Sequence, residues 1–183
     1  MASDIQLKLT DHEAFLVKIL LQDATRDSRD VNAKDYPSII SKIDTAVDKA
    51  MGGISVFFDG NKPSGNWFGS YIVSPLMDAA AHRLVQVNTN NQAEYQGLIL
   101  ALDACLDFVI NGDIKAGSTI TIFGDSQLVI NQMRGTYRVH NVELRTLHET
   151  AADRCEQLAD AKVKLTFKYI PREENNKALG LPD

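Results

Sequence analysis

Two apolar runs rich in β-branched and aromatic residues end alike, each on an aspartate. Gly53-Ile-Ser-Val-Phe-Phe-Asp59-Gly60 is the first, and Ser118-Thr-Ile-Thr-Ile-Phe-Gly-Asp125-Ser126 is the second. Both read as short strands closed by turn residues. Between them Thr89-Asn90-Asn91-Gln92-Ala93-Glu94-Tyr95 opens a segment with apolar residues at 98, 99, 102, 105, 106 and 109. That spacing marks one buried face of a helix. Strands alternating with helices in this way predict an α/β domain, a mixed sheet with helices on both faces.

Asn90 or Asn91 is a natural N-cap for the helix, and Glu94 is then expected in its first turn, where the dipole favours a carboxylate. Taken singly, Glu94 is half of a capping arrangement, and Asp59 and Asp125 are turn or cap residues. Taken together, two acids at strand ends and one at a helix start can converge on one edge of a sheet. Converged carboxylates repel each other unless a cation lies between them, and an all-oxygen site suits Mg²⁺ or Mn²⁺.

Four motifs carry a resemblance. Phe58-Asp59-Gly60, Thr89 to Tyr95, Gly124-Asp125-Ser126-Gln127-Leu128-Val129 and Tyr169-Ile170-Pro171-Arg172-Glu173-Glu174-Asn175-Asn176 resemble, in order and spacing, the motif series of ribonuclease H type 1. The resemblance runs from about Gly53 to the C-terminus. It implies a ribonuclease H-like fold with a five-stranded mixed sheet, and metal-dependent hydrolysis of the RNA strand of RNA/DNA hybrids. Two Mg²⁺ or Mn²⁺ ions and ends bearing 5′-phosphate and 3′-hydroxyl are implied with it. Asp59 then bridges the ions, with Glu94 and Asp125 completing one side. Asn90 and Asn91 match positions that contact the RNA strand, and Gln127 matches one that reaches the minor groove. Gly60, Gln92, Ser126, Arg134 and Arg172 are the further substrate-binding candidates.

The chain departs from the family at its end. The fourth aspartate of the family falls on Leu179 in the pair Ala178-Leu179, and a leucine cannot ligate a metal. Asp183 is the candidate replacement, although Gly180 and Pro182 disfavour a regular helix leading to it. The family's histidine in the preceding loop is also missing between Ile170 and Lys177. His140 and His148 read as structural or surface residues. The basic handle of many members is absent too, since Arg134-Gly-Thr-Tyr-Arg138-Val-His-Asn leads directly into the next helix. Arg134 and Arg138 then hold phosphates or are solvated surface charges. These departures leave a second reading, a catalytically impaired nucleic-acid-binding module on the same fold.

Residues 1–50 stand outside the motif series. They predict a helical extension, a hairpin with Phe15 and Ile19 on one helix and Ile39, Ile40 and Ile43 on the other, suited to self- or partner association. The catalytic domain is expected over 53–183. Its strands are predicted to end at Asp59 and to span Trp67–Ser74, Arg83–Asn88, 118–124 and Val163–Ile170. Its helices are predicted over Asn91–Asn111, as a short helix after strand 118–124 that ends near Gly135, and over Val142–Ala161.

Composition adds two constraints. A formal charge of −5 argues for modest, salt-sensitive contact with nucleic acid through scattered cations. There is no signal-like start and no apolar run of the roughly 20 residues a membrane helix needs. Cys105 and Cys155 fall on apolar helical faces and read as buried free thiols. A cytoplasmic setting without membrane contact is expected.

Overall fold

The computed structural model describes residues 53–182. The expectations for residues 1–50 and for Asp183 lie outside them. The elements are β1 (Ile54–Asn61), β2 (Phe68–Ser74), β3 (Ala81–Leu84), α1 (Asn90–Ile110), β4 (Thr119–Gly124), α2 (Gln127–Met133), α3 (Val142–Asp160), β5 (Lys164–Tyr169) and α4 (Arg172–Leu179). The strands form one mixed sheet in the order β3-β2-β1-β4-β5. β1 runs antiparallel to β2 and parallel to β4, which places Asp59 and Asp125 at the same end of neighbouring strands.

Alternation along the strands decides what each face meets. Val56 and Phe58 of β1, Val73 of β2 and Ile120 and Ile122 of β4 are fully buried. They belong to one core with Leu98, Leu102 and Cys105 of α1, Val129 and Ile130 of α2, and Leu144, Ala151 and Leu158 of α3. α1 packs on β1, β2 and α3. The opposite face carries Phe57 stacked on Phe123, with ring centroids 5.0 Å apart. Asp59, Ser70 and His82 share a row across β1, β2 and β3, since Asp59 pairs with Ser70 and Ser70 with His82. α4 lies against β1, β2 and β4. Its Arg172 and Asn176 line the same open pocket as Asp59, Ser70 and His82, so helices cover both faces, as expected.

Several boundaries differ from the sequence expectation. β3 ends at Leu84 rather than running to Asn88, because its partner β2 begins at Phe68, opposite Leu84. One more bond, from the Val85 N–H to the Trp67 carbonyl (2.9 Å), closes the ladder. The chain then turns into α1, whose N-cap is Thr89, not Asn90 or Asn91. The Thr89 hydroxyl accepts from the Gln92 N–H at 3.3 Å, while the Gln92 side-chain oxygen accepts from the Thr89 N–H at 3.1 Å. This reciprocal capping box starts α1 at Asn90 and puts Glu94 in its second turn rather than its first.

α4 is an element the apolar pattern did not reveal. Its other signals are present: Pro171 at the entry, Glu173 and Glu174 in the first turn, Lys177 in the last, and Gly180 in the left-handed region just past the end. Leu179, its last residue, is buried. Cys105 is buried and Cys155 half-buried, both are free, and burial pushes each thiol up to about 12. Among the described residues no helix is long and apolar enough to cross a membrane.

Candidate active site

Asp59, Glu94 and Asp125 converge where β1 nears its end and β4 has just ended. One ligand oxygen from each lies within 4.8 Å of the others. Two close backbone approaches bring this about. A Cβ on Gly60 would stand 2.1 Å from the Glu94 nitrogen, and one on Gly97 would stand 2.3 Å from the Asp59 carbonyl oxygen. Only glycine lets α1 press this closely on β1. Glu94 is then held by the Gly60 N–H, which donates to its Oε2 at 3.2 Å, and by Asn90, whose Nδ2 donates to Oε1 at 3.4 Å.

Two further asparagines brace the other acids. Asn61 Nδ2 donates to Asp59 Oδ2 at 2.9 Å. Asn175 of α4 donates through Nδ2 to the Phe58 carbonyl at 2.8 Å and to Asp125 Oδ1 at 3.3 Å. Asn175 is fully buried. Neither residue was singled out from the sequence. The signal for Asn175 was its place in the Arg-Glu-Glu-Asn-Asn run, and for Asn61 its place just after Asp59-Gly60.

Burial dominates the electrostatics. Desolvation, and then the charge of Asp125, raises the Asp59 carboxyl above its ordinary range. Desolvation, followed by the charges of Asp59 and Asp125, raises Glu94 well above its range. Desolvation also raises Asp125. The Arg172 guanidinium works the other way on Asp59 and Asp125. Three oxygen donors this close, each short of solvent and two of them raised by a neighbouring carboxylate, fit a hard divalent cation.

The remaining candidates are placed differently. Asn90, Asn91 and Gln127 are exposed at the starts of α1 and α2, beside Glu94 and Asp125 respectively. Ser126 is the N-cap of α2, its hydroxyl accepting from the Val129 N–H. Arg172 lines an open pocket of about 460 Å³ together with Asp59, Asn61, Lys62, Ser70 and His82. Two candidates are engaged elsewhere. Gln92 is buried, with its oxygen in the capping box and its Nε2 donating to Glu143 at 2.6 Å. Arg134 donates from Nε and Nη2 to the Phe167 carbonyl at 2.9 and 2.6 Å. His140 is exposed, and His148 lies edge-on to the buried Tyr95.

A sequence model of the family described as reverse transcriptase-like matches residues 75–181. The chain belongs to that family. The match includes Glu94 and Asp125, while Asp59 lies before it. Curated relatives include a protein of Mycobacterium tuberculosis described as bifunctional, 34% identical over 91 residues, or 49% of this chain and 22% of the relative. Ribonuclease HI of Halobacterium salinarum is 34% identical over 93 residues, or 51% of this chain and 41% of the enzyme. The chain thus spans well under two thirds of the length of these relatives.

Solved structures agree with the fold. Ribonuclease H1 from Halobacterium salinarum superposes with a TM-score of 0.55 at 28% identity, covering 69% of this chain and 92% of that one. A ribonuclease H1 isolated from compost, solved in complex with an RNA/DNA hybrid, gives a TM-score of 0.56 at 26% identity, covering 68% and 89%. The ribonuclease H-like fold expected from the four motifs is therefore present in this member of the reverse transcriptase-like family.

Proposed function

We propose that this chain, through a catalytic domain over 53–183, hydrolyses the RNA strand of RNA/DNA hybrids as a metal-dependent endonuclease, leaving 5′-phosphate and 3′-hydroxyl ends. The observation that carries this reading is the trio Asp59, Glu94 and Asp125, with ligand oxygens within 4.8 Å of one another, in a member of this family. Bound Mg²⁺ or Mn²⁺, two ions on the family pattern, supplies activation of the attacking water and stabilisation of the leaving oxygen.

The chain's own residues do the positioning. Asp59, Glu94 and Asp125 hold the charge that recruits the cations, and Asn61, Asn90 and Asn175 fix the orientation of those carboxylates through hydrogen bonds. Arg172, beside Asp59 and Asp125, offers a positive partner to the scissile phosphate. Asn90, Asn91 and Gln127, exposed at the rim, present amides that can both donate to and accept from a ribose 2′-hydroxyl, which DNA lacks. Gly60 holds Glu94 through its N–H, and Ser126 caps the start of α2 next to Asp125.

One observation favours a second reading. Leu179, the position of the family's fourth aspartate, is a buried apolar residue. A catalytically impaired module that binds hybrids without cutting them is the function that feature supports. Incubating an end-labelled RNA/DNA hybrid with the protein and Mg²⁺ separates the two, since the enzyme releases RNA fragments and the binding module only retards the hybrid on a gel.

A further inference from the structure

Two buried side-chain oxygens beside the carboxylates lack any partner: Asn61 Oδ1 and Asn175 Oδ1. Asn175 is fully buried, so its oxygen has no access to bulk water. An unsatisfied buried acceptor is costly, and such groups are rare in folded proteins. Turning the amides over offers no relief. The Asn175 nitrogen faces the Phe58 carbonyl and Asp125 Oδ1, and the Asn61 nitrogen faces Asp59 Oδ2. Each of these is an acceptor when the carboxylates are ionised, so each must meet N–H rather than oxygen.

Both amides therefore have the same arrangement. The nitrogen ties to one oxygen of a carboxylate in the trio, and the amide's own oxygen is left without a partner. An amide that donates to one oxygen of a carboxylate can share a hard cation between its own oxygen and the other oxygen of that carboxylate. Amide carbonyls are ordinary ligands of Mg²⁺ and Ca²⁺, and Mg²⁺ requires six oxygens where the trio offers one ligand atom from each of three acids. Neutral donors also suit a site already crowded with negative charge.

We propose that Asn61 Oδ1 and Asn175 Oδ1 are ligands of the divalent cation held by Asp59, Glu94 and Asp125. The inference rests on the metal-dependent reading of the site. It assigns these two residues a role beyond bracing the carboxylates, and it lets the site take up a cation with Leu179 at the end of α4.

The test is a Mg²⁺ titration of the full-length, ¹³C,¹⁵N-labelled protein, following side-chain carbonyl carbons by NMR. Single Asn61→Ser and Asn175→Ser variants serve to assign the two carboxamide signals. The expected result is that both carboxamide carbons move downfield, the sense of a carbonyl oxygen taking a cation, along one saturation curve with the carbons of Asp59, Glu94 and Asp125. If the three carboxylate signals follow Mg²⁺ while the carboxamide carbons stay in place or move upfield, the amides are not ligands and the proposal is overturned, with the metal site left standing. If no carboxylate signal moves, the metal-dependent reading fails, and this inference with it.

Discussion

Gly97 of α1 lies directly over the backbone of Asp59, so that a Cβ added to it would stand 2.3 Å from the Asp59 carbonyl oxygen. A helix and a strand are here in backbone contact at the residue that anchors the carboxylate trio. The neighbouring contact, between Gly60 and the Glu94 nitrogen, repeats the arrangement one residue along the strand. Fold and site are coupled at these two glycines.

Gly97→Ala is accordingly expected to push α1 off β1. Overpacking of this kind costs about 1–3 kcal/mol, and here the obstacle is rigid backbone rather than a side chain that can rotate. Urea denaturation should show the loss of stability. Hybrid cleavage should fall further than stability does, because displacement of α1 carries Glu94 away from Asp59. A variant with full stability and activity would contradict the close packing.

The start of α1 gives a milder test. Thr89→Ala removes the hydroxyl that accepts from the Gln92 N–H, and loss of such a cap costs about 1 kcal/mol. Gln92→Ala should cost more, because it also breaks the bond to Glu143 that joins the starts of α1 and α3. Thermal melts of the two variants rank them, and the reverse order would count against the Gln92–Glu143 tie.

The pH dependence follows from the raised carboxyls. Asp59, Glu94 and Asp125 all titrate above their ordinary values of 3.8, 4.5 and 3.8, desolvation being the largest cause in each. A group whose folded value is raised adds stability below its unfolded value and loses it as pH climbs through the folded one. Without divalent ions, the contribution of these three acids should decline as pH rises above that ordinary range. Mg²⁺ should reverse the decline and raise the melting temperature more at higher pH, since binding must displace protons. Melts across pH with EDTA and with Mg²⁺ check the sign.

Neutralising one acid should separate folding from function. Asp59→Asn removes a desolvated charge and its repulsion with Asp125, so the metal-free protein should melt at a higher temperature than the wild type. The same change should abolish the stabilisation by Mg²⁺. A variant that melts lower without metal and still responds to Mg²⁺ would show that Asp59 is not a central ligand.

The sequence revealed those parts of the fold that rest on period and on turn residues. The apolar face of α1, from Leu98 to Cys105, and Asp125 just past the end of β4 were legible because each obeys a local pattern, whereas β1 runs two residues beyond Asp59 because Gly60 and Asn61 still pair with β2. The end of β3 was not, since it depends on where the partner strand β2 begins. Thr89 lost the cap position to two better-placed asparagines on paper, because its advantage comes from a reciprocal bond with Gln92. α4 escaped because its charged run has little apolar period, although Glu173, Glu174, Lys177 and Gly180 stand where a short helix wants them. Asn61 and Asn175 were hidden for a different reason. Their roles arise from the contact of α4 with β1 and from the bond of Asn61 back to Asp59 at the end of β1, which only the tertiary structure reveals.

The most direct measurement compares wild type and Asp59→Asn on an end-labelled RNA/DNA hybrid in Mg²⁺, with the all-DNA duplex alongside. The account predicts that the wild type cuts the RNA strand and leaves 3′-hydroxyl ends. It predicts no cutting of the duplex, and loss of hybrid cleavage by at least about 100-fold in the variant, the order expected when a major electrostatic element of a site is removed. Hybrid binding without cleavage by the wild type, or equal cleavage by the variant, would contradict it.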